Sequence, residues 1–390
     1  MLRTACLFAV LTGTASLVAT AETVRVVSDT ASERLIERIA GELTETEPAE
    51  TVFEARRQAR QAASRAQAYL NSRGYFDAEV SHSVESGPPP RAAIKVEPGP
   101  RYRIAETSRR IIGGEISPED EARLARAMTI EPGDFAIADK VVSQEAGLLA
   151  VLRSLGYADA RALKRRISGD QETDTITVVY RLRPGPRVRF GEVVFDDGVR
   201  TRQPYLNRLI PFEEGEVFSP DKLSEFNGRL ANTRLYSVSS AHLDEAASET
   251  ETGTDDVRDV IVTLTERDRY TVTAGASVST SEGPGLTASL TRRNATRRGD
   301  TLTARTTLAA QQRAVGVDWR IPNAIAFDKG LVFSANGIRD ETDAFDREAV
   351  TLSGSYEVRH SKAFAYSLGV ASEVTSETDA FGQRDLQILS

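Results

Sequence analysis

Groups that make or break bonds are scarce in this sequence. The 390 residues contain one cysteine and three histidines. Cys6 falls inside an N-terminal apolar run, so an exported chain cut after that run carries no thiol; disulfides, thiolate metal sites and cysteine nucleophiles are excluded with it. His82, His242 and His360 are scattered, and no nucleophile elbow, phosphate loop or zinc-ligand spacing occurs. The chain reads as a non-enzyme that needs no cofactor and no metal. A basic excess is also missing. The formal net charge is -8, which removes the electrostatic footprint of a nucleic-acid binder. Beyond the N-terminus no apolar run approaches the roughly 20 residues of a membrane-spanning helix. Any crossing of a bilayer must therefore be made by strands closed into a barrel.

The N-terminus itself has one early positive charge, Arg3, then the small and apolar run Leu7 to Ala19, then Ala19-Thr20-Ala21. The small-x-small ending is what signal peptidase prefers, so residues 1–21 read as an export signal cut after Ala21. Thr12, Thr14 and Ser16 interrupt the run and argue against a permanent anchor. The remaining length suggests two to four domains on a prior of roughly 100 to 200 residues each.

Repetition is the strongest signal in that remainder. The phrases Leu70-Asn71-Ser72-Arg73-Gly74-Tyr75, Leu152-Arg153-Ser154-Leu155-Gly156-Tyr157 and Leu230-Ala231-Asn232-Thr233-Arg234-Leu235-Tyr236 each end a helical pattern. They recur about every 80 residues. A second phrase, Ile94-Lys95-Val96-Glu97-Pro98-Gly99-Pro100-Arg101, returns as Tyr180-Arg181-Leu182-Arg183-Pro184-Gly185-Pro186-Arg187. Its prolines end a strand and stiffen a junction. Val52, Ala55, Ala59, Ala62, Ala66 and Leu70 lie at helical spacing, as do Leu223, Phe226 and Leu230. Ser219-Pro220 reads as an N-cap followed by proline at the first helical position. Glu131-Pro132-Gly133-Asp134 and Glu213-Glu214-Gly215-Glu216 mark corresponding turns between paired helices.

Hairpins follow the helices: Ala78 to Val84 with Arg91 to Val96, Arg161 to Ile167 with Thr175 to Leu182, and Ser237 to Leu243 with Arg258 to Thr265. The acidic stretch Asp244 to Asp259 reads as a solvated hairpin loop rather than a calcium site. Tyr75, Tyr157 and Tyr236 read as core anchors, and Gly74 and Gly156 as helix C-caps. Each repeat is therefore β-α-α-β-β, and the layout resembles the POTRA (polypeptide-transport-associated) domain. The expected modules are 22–98, 99–185 and 186–267. An unpaired sheet edge in such a module can accept an extended segment by β-augmentation.

From Tyr270 the period changes to two. Tyr270, Val272, Ala274, Ala276 and Val278 share one face, and Thr271, Thr273, Gly275, Ser277 and Ser279 the other. The alternation returns in Leu286 to Thr291, Leu302 to Ala310, Val315 to Ile321, Leu331 to Gly337, Val350 to Arg359 and Phe364 to Val370, giving seven strands. Charge such as Asp318, Arg320, Glu357 and Arg359 keeps to one face, as a barrel wall in lipid requires. A soluble sheet with one wet face gives the same alternation. The fold class expected is α+β POTRA repeats followed by the N-terminal part of an antiparallel transmembrane β-barrel, at 268–390.

If the first strand runs outward, the connections Arg292 to Asp300, Pro322 to Lys329 and His360 to Lys362 face the periplasm. Asn294, Arg297, Arg298, Gly299 and Asp300 sit in a turn that resembles the Asn-x-x-Gly-Arg-Gly-(Asp/Glu) turn of the Omp85 superfamily, with Arg297 replacing the first glycine. Ile321-Pro322-Asn323 resembles another proline-containing turn of that family, without its usual following aromatic. The arginines also fit a basic turn near anionic lipid.

That resemblance implies a 16-stranded barrel, of which seven strands account for less than half; the family's inward loop and closing strand have no counterpart here. Arg73-Gly74-Tyr75 matches the inward-loop motif only by letters. Three repeats favour the translocation and assembly module (TamA-like) branch over the five-repeat barrel-assembly (BamA-like) branch and the two-repeat two-partner secretion transporters. The implied partners are outer-membrane client proteins, outer-membrane lipid and an inner-membrane-anchored, TamB-like protein. The implied client-pairing strand holds Tyr270, Val272, Thr273, Ala274, Ala276 and Val278. A passive channel and a functionless gene fragment are the competing expectations.

Overall fold

The computed structural model describes residues 17–20, 24–43, 48–245, 256–279, 283–342, 345–359, 363–380 and 382–390. Cys6, His360, most of the export signal and the middle of the acidic stretch Asp244 to Asp259 lie outside the described residues. The chain divides into two compact units, residues 1–186 and 187–390.

The first unit holds β1 (Leu17–Thr20), β2 (Val24–Ser28), α1 (Glu33–Gly41), α2 (Val52–Ser72), β3 (Glu79–Glu85) and β4 (Arg91–Glu97). It continues with β5 (Arg103–Ile111), α3 (Pro118–Arg126), α4 (Ala138–Ser154), β6 (Arg161–Asp170) and β7 (Thr175–Arg183). Helix α2 starts where the sequence supplies a capping box: Thr51 Oγ1 accepts from the Glu54 amide at 3.2 Å, and Glu54 accepts from the Thr51 amide at 3.3 Å. Ala55, Ala59, Ala62, Ala66 and Leu70 form its buried face. Val52, expected on that face, is 54% exposed because it sits in the first turn, ahead of the point where α2 meets the sheet. These small residues let α2 lie close over β4, where Ala92, Ile94 and Val96 are buried. The next module repeats the plan around Leu148, Leu152, Val178, Tyr180 and Leu182.

Both modules build their sheets in the order first, third, second strand, with β2 parallel to β4 and β3 antiparallel to it, and likewise β5, β7 and β6. Strand β1 is an addition. It pairs antiparallel with the outer edge of β2.

The second unit opens with the same plan: β8 (Val188–Phe195), α5 (Gln203–Asn207), α6 (Pro220–Asn232), β9 (Tyr236–Leu243) and β10 (Asp256–Glu266), in the order β8-β10-β9. Its core is aromatic. Phe190 stacks on Phe212 with centroids 3.9 Å apart, and Phe218 and Phe226 complete the cluster edge-on. Ser219 is the N-cap of α6 and Pro220 its first residue, but the serine side chain makes no capping bond. Each repeated tyrosine ties a helix end to its module. Tyr157 Oη donates to the buried Asp120 at 3.0 Å and Tyr236 Oη donates to Thr201 at 3.1 Å, while Tyr75 is partly buried against the first core.

The rest of the second unit is one antiparallel sheet of eight strands in sequence order: β11 (Tyr270–Ser279), β12 (Gly283–Arg293), β13 (Thr301–Ala309), β14 (Gln312–Ala326), β15 (Lys329–Glu341), β16 (Phe345–Arg359), β17 (Ala365–Asp379) and β18 (Gly382–Leu389). Seven strands were expected. The eighth, β18, is missed because the consecutive polar residues Gln383, Arg384 and Asp385 leave only Leu386-Gln387-Ile388 alternating, yet its backbone pairs in register with β17 from Gly382 to Leu389. Several strands are also longer than their apolar stretches; β14, β16 and β17 each run 15 residues. The far ends of β16 and β17 are polar, with Asp346, Arg347 and Glu348 in the one and Ser376 to Asp379 in the other, as expected where strands leave lipid for water.

Candidate functional site

Register decides which residues share a face, because directly opposed residues project to the same side. Tracing opposed partners across the sheet gives rows such as Thr306, Val315, Gly337, Val350 and Val374. A neighbouring row holds Leu302, Trp319, Phe333, Gly354 and Val370. The face they build is apolar and bare: Val272 is 73% and Leu368 75% exposed. A face of this extent is intolerable in water and expected against lipid.

The opposite face is held together by charge. Arg305 pairs with Asp318 at 2.6 Å, and Ser334 donates to the same carboxylate at 2.8 Å. Arg320 reaches Glu357 at 3.1 Å, and Arg347 reaches Glu373 at 2.8 Å while Thr351 donates to that glutamate. Gly316 sits where a Cβ would press on the Asn336 side chain, so a small residue keeps this polar layer flat.

Strand β11 is one edge of the sheet. It pairs with β12 from Tyr270↔Arg292 to Ser279↔Gly283 and has no second partner among the described residues. Val272, Thr273, Ala274, Ala276 and Val278 are all exposed along it, and Tyr270 is 53% exposed beside Arg292.

The turn from Asn294 to Asp300 is folded against the third module by a continuous chain of hydrogen bonds. Asp300, fully buried, accepts from Trp319 Nε1 at 2.8 Å and from the Thr296 amide at 2.9 Å. Asn294 accepts from the Gly299 amide at 3.1 Å and donates through Nδ2 to Thr201 at 2.9 Å. Thr201 in turn donates to Glu266, which also accepts from the Arg200 and Thr201 amides. The Arg202 amide donates to the Arg297 carbonyl at 2.8 Å. Gly299 has φ +74, and a Cβ there would overlap the ring of Tyr205 from α5. Glycine is thus required twice over, by backbone conformation and by contact. Arg297 also adopts a left-handed conformation, φ 65, where the family turn carries glycine. Burial raises the Tyr205 phenol above its ordinary value, and burial likewise pushes Tyr236 up to about 12.

A second turn docks beside the first. Arg208 donates to the carbonyls of Asn323 and Ala324 at 2.7 Å each, and the Arg229 guanidinium stacks over Phe327 at 3.8 Å. Between α6 and the adjoining ends of β14, β16 and β17 lies a cavity of about 800 Å³, walled by Arg229, Phe327, Arg320, Glu357 and Tyr366.

Sequence reasoning picks out the turn residues Asn294, Gly299 and Asp300 and the strand Tyr270 to Val278, and the structure puts both in the second unit. It misses Thr201, Tyr205, Arg208 and Trp319. Tyr205 follows a proline in a five-residue helix too short for periodicity to show, and Trp319 reads simply as one apolar position of a strand. Arg298 makes no contact that the chain of bonds uses. Among the described residues no group of His, Cys, Asp or Glu could hold a metal ion.

A family profile described as POTRA, surface antigen variable number repeat, matches residues 109–185. The chain is 26% identical over 235 residues to the outer membrane protein assembly factor BamA of Nitratidesulfovibrio vulgaris, a match covering 58% of this chain and 28% of that protein. Its structure resembles the crystal structure of Haemophilus ducreyi BamA lacking POTRA domains 1-3, with TM-score 0.61, 18% identity, and coverage of 74% of this chain and 58% of the other. CdiB from Acinetobacter baumannii aligns at TM-score 0.42 and 14% identity, over 74% of this chain and 56% of that one. The chain thus spans under a third of the curated relative's length. Residues 109–185 thus form a module that matches the POTRA family, and the module and sheet together share the fold of the truncated Haemophilus ducreyi BamA, the kind of protein that the chain resembles.

Proposed function

We propose that this protein assembles other proteins into the outer membrane, with β11 as the strand that receives them. The observation that carries the reading is the open edge of β11: its outward backbone groups lack a partner among the described residues while its side chains alternate as a lipid-crossing strand requires. A client's terminal strand, placed against this edge, would gain backbone hydrogen bonds and a matching apolar face in one step. The third module, bonded to the turn at Asn294–Asp300, stands at the end of the sheet where β11 begins and is positioned to hand over an extended client.

The repeats at 22–98, 99–185 and 186–267 number three, and that count supports a TamA-like role with an inner-membrane-anchored, TamB-like partner. A BamA-like general assembly role, suggested by the curated relative, is the second reading. Neither involves catalysis, a nucleotide or a metal.

The test is disulfide crosslinking between Thr273→Cys and a cysteine in the last strand of an outer-membrane client, in membranes from cells expressing both. A trapped adduct that disappears when the client's terminal strand is deleted is the expected result. Equal adduct from Ser353→Cys, in the middle of the wall, would show random collision instead. A passive channel predicts normal client assembly in a deletion strain.

A further inference from the structure

The arginines of the eight-stranded sheet and its turns fall into two groups. Within the wall, Arg305, Arg320, Arg339, Arg347 and Arg384 each meet a carboxylate. At the foot of β11, β12 and β13, Arg269, Arg292, Arg297 and Arg298 meet none among the described residues. The acids there are mostly committed: Glu266 accepts from the Arg200 and Thr201 amides, and the buried Asp300 from Trp319 and Thr296. Asp268 is the one carboxylate left to face four guanidinium groups. The neighbouring turn Pro322 to Lys329 balances one cation, Lys329, with one acid, Asp328. In a chain of net charge -8, the foot of the edge strand is a local reversal of sign.

Two consecutive arginines take opposite sides of β12. Arg293 belongs to the polar side and is tied down, donating to Thr271 Oγ1 at 2.7 Å and to the Asp268 carbonyl at 3.1 Å. Arg292 belongs to the lipid-facing side, opposed to Tyr270 on β11 and to Leu302 on β13. Its guanidinium lies 5.9 Å from the centre of the Tyr270 ring, and its Nε is buried with no hydrogen-bond partner among the described residues. The same row passes through Leu302 to Trp319. Tyrosine and tryptophan in one row mark the level where a barrel wall meets lipid headgroups. A desolvated guanidinium at that level lacks both a counter-charge and acceptors, and a phosphate group supplies the two together.

We infer that Arg292 holds the phosphate of an anionic phospholipid in the periplasmic leaflet, at the foot of the open edge strand β11. Arg269, Arg297 and Arg298 add positive potential, each strengthening attraction to an anionic surface by about fivefold. The occupant is a phospholipid and not a soluble anion, because Tyr270, Leu290 and Leu302 give its acyl chains apolar surface beside the guanidinium. Headgroups with a net negative charge, such as phosphatidylglycerol, are favoured over zwitterionic ones by the uncompensated arginines. The bound lipid fixes the depth at which β11 stands in the bilayer. The site depends on the wall lying in lipid and not on clients pairing with β11, so a failed crosslink at Thr273 leaves it standing.

Trp319 is the single tryptophan of the sequence and lies two strands from Arg292, about 10 Å at roughly 4.8 Å per strand. Its fluorescence therefore reports on lipid held at the site. The full-length protein is inserted into phosphatidylcholine bilayers containing a small fraction of phosphatidylglycerol with brominated acyl chains or, separately, of phosphatidylcholine brominated in the same way. Phosphatidylglycerol should quench Trp319 several-fold more effectively. Arg292→Gln should abolish that preference, Arg292→Lys should keep part of it, and Arg298→Gln should lower it without removing it. Arg313→Gln, at the opposite end of the wall, should leave it unchanged. Heat-resistant electrophoretic mobility selects the variants that are inserted. Equal quenching by the two lipids, or a preference that survives Arg292→Gln in inserted protein, overturns the proposal. So does displacement of the brominated lipid by glycerol phosphate or by polyglutamate as readily as by unlabelled phosphatidylglycerol, which would assign the arginines to a soluble anion or an acidic polypeptide.

Discussion

The sheets of the modules and the eight-stranded sheet use similar alternating strands and orient them to opposite ends. In β7 and β10 every second residue is buried, including Ile176, Val178, Tyr180 and Leu182 in the one and Val260, Val262 and Leu264 in the other, and most positions between them are polar or charged, Val179, Val257 and Ile261 being the exceptions. In β16 the apolar residues Val350 and Leu352 are 56% and 58% exposed, while the polar side makes ion pairs with its neighbours. The same period of two thus serves two solvents. Helices supply the apolar surroundings in the modules, and lipid supplies them for the wall.

Breaking a module core has the largest expected effect. Phe226→Ala removes the edge-on partner of Phe212 and should destabilise the third module by about 3–5 kcal/mol, read as a lowered denaturant midpoint. Next comes Leu352→Arg on the apolar face, at about 2–4 kcal/mol if it lies near the bilayer midplane. Ser353→Arg, one residue along on the polar face, should cost far less. Heat-resistant electrophoretic mobility of the two variants compares them directly, and equal losses would erase the distinction between the faces.

Asp300→Ala tests the link between the two kinds of sheet. It strands Trp319 Nε1 and the Thr296 amide and should cost about 1–3 kcal/mol, with Asp300→Asn recovering part of it. Protease sensitivity of the Asn294–Asp300 turn reports that loss. Arg305→Ala on the polar face should cost less than about 1 kcal/mol, since its pair with Asp318 is half exposed. At neutral pH the smallest effect belongs to Tyr236. Its phenol is raised to about 12 by burial, so its contribution is complete below the unfolded value of roughly 10 and is lost as pH rises from there through 12. Tyrosinate absorbance should therefore rise late and together with unfolding of the third module, and Tyr236→Phe should reduce that step, leaving the share of the buried Tyr205.

The parts legible in the sequence are those set by local period and turn chemistry. The three tyrosine phrases, the alternating faces and the turn residues Asn294, Gly299 and Asp300 each announce themselves within a dozen residues. What stays hidden depends on distant partners. Thr201 meets Asn294 across 93 positions and Arg208 meets Asn323 across 115, and neither pairing leaves a periodic trace. Strand β18 is hidden for a related reason: pairing with β17 holds it, not its own alternation. Strand β1 lies in a segment whose composition speaks for export, and its pairing with β2 leaves no mark in that composition.

The central claim is that one face of the eight-stranded sheet meets lipid and the other meets water. Single cysteines at Val350, Thr351, Leu352 and Ser353 in the membrane-inserted protein, which lacks other thiols once the signal is removed, test it most directly. With a fluorescent label at each, brominated lipid should quench Val350 and Leu352, while a water-soluble quencher reaches Thr351 and Ser353. Uniform quenching along the four positions, or the reverse alternation, would contradict the account.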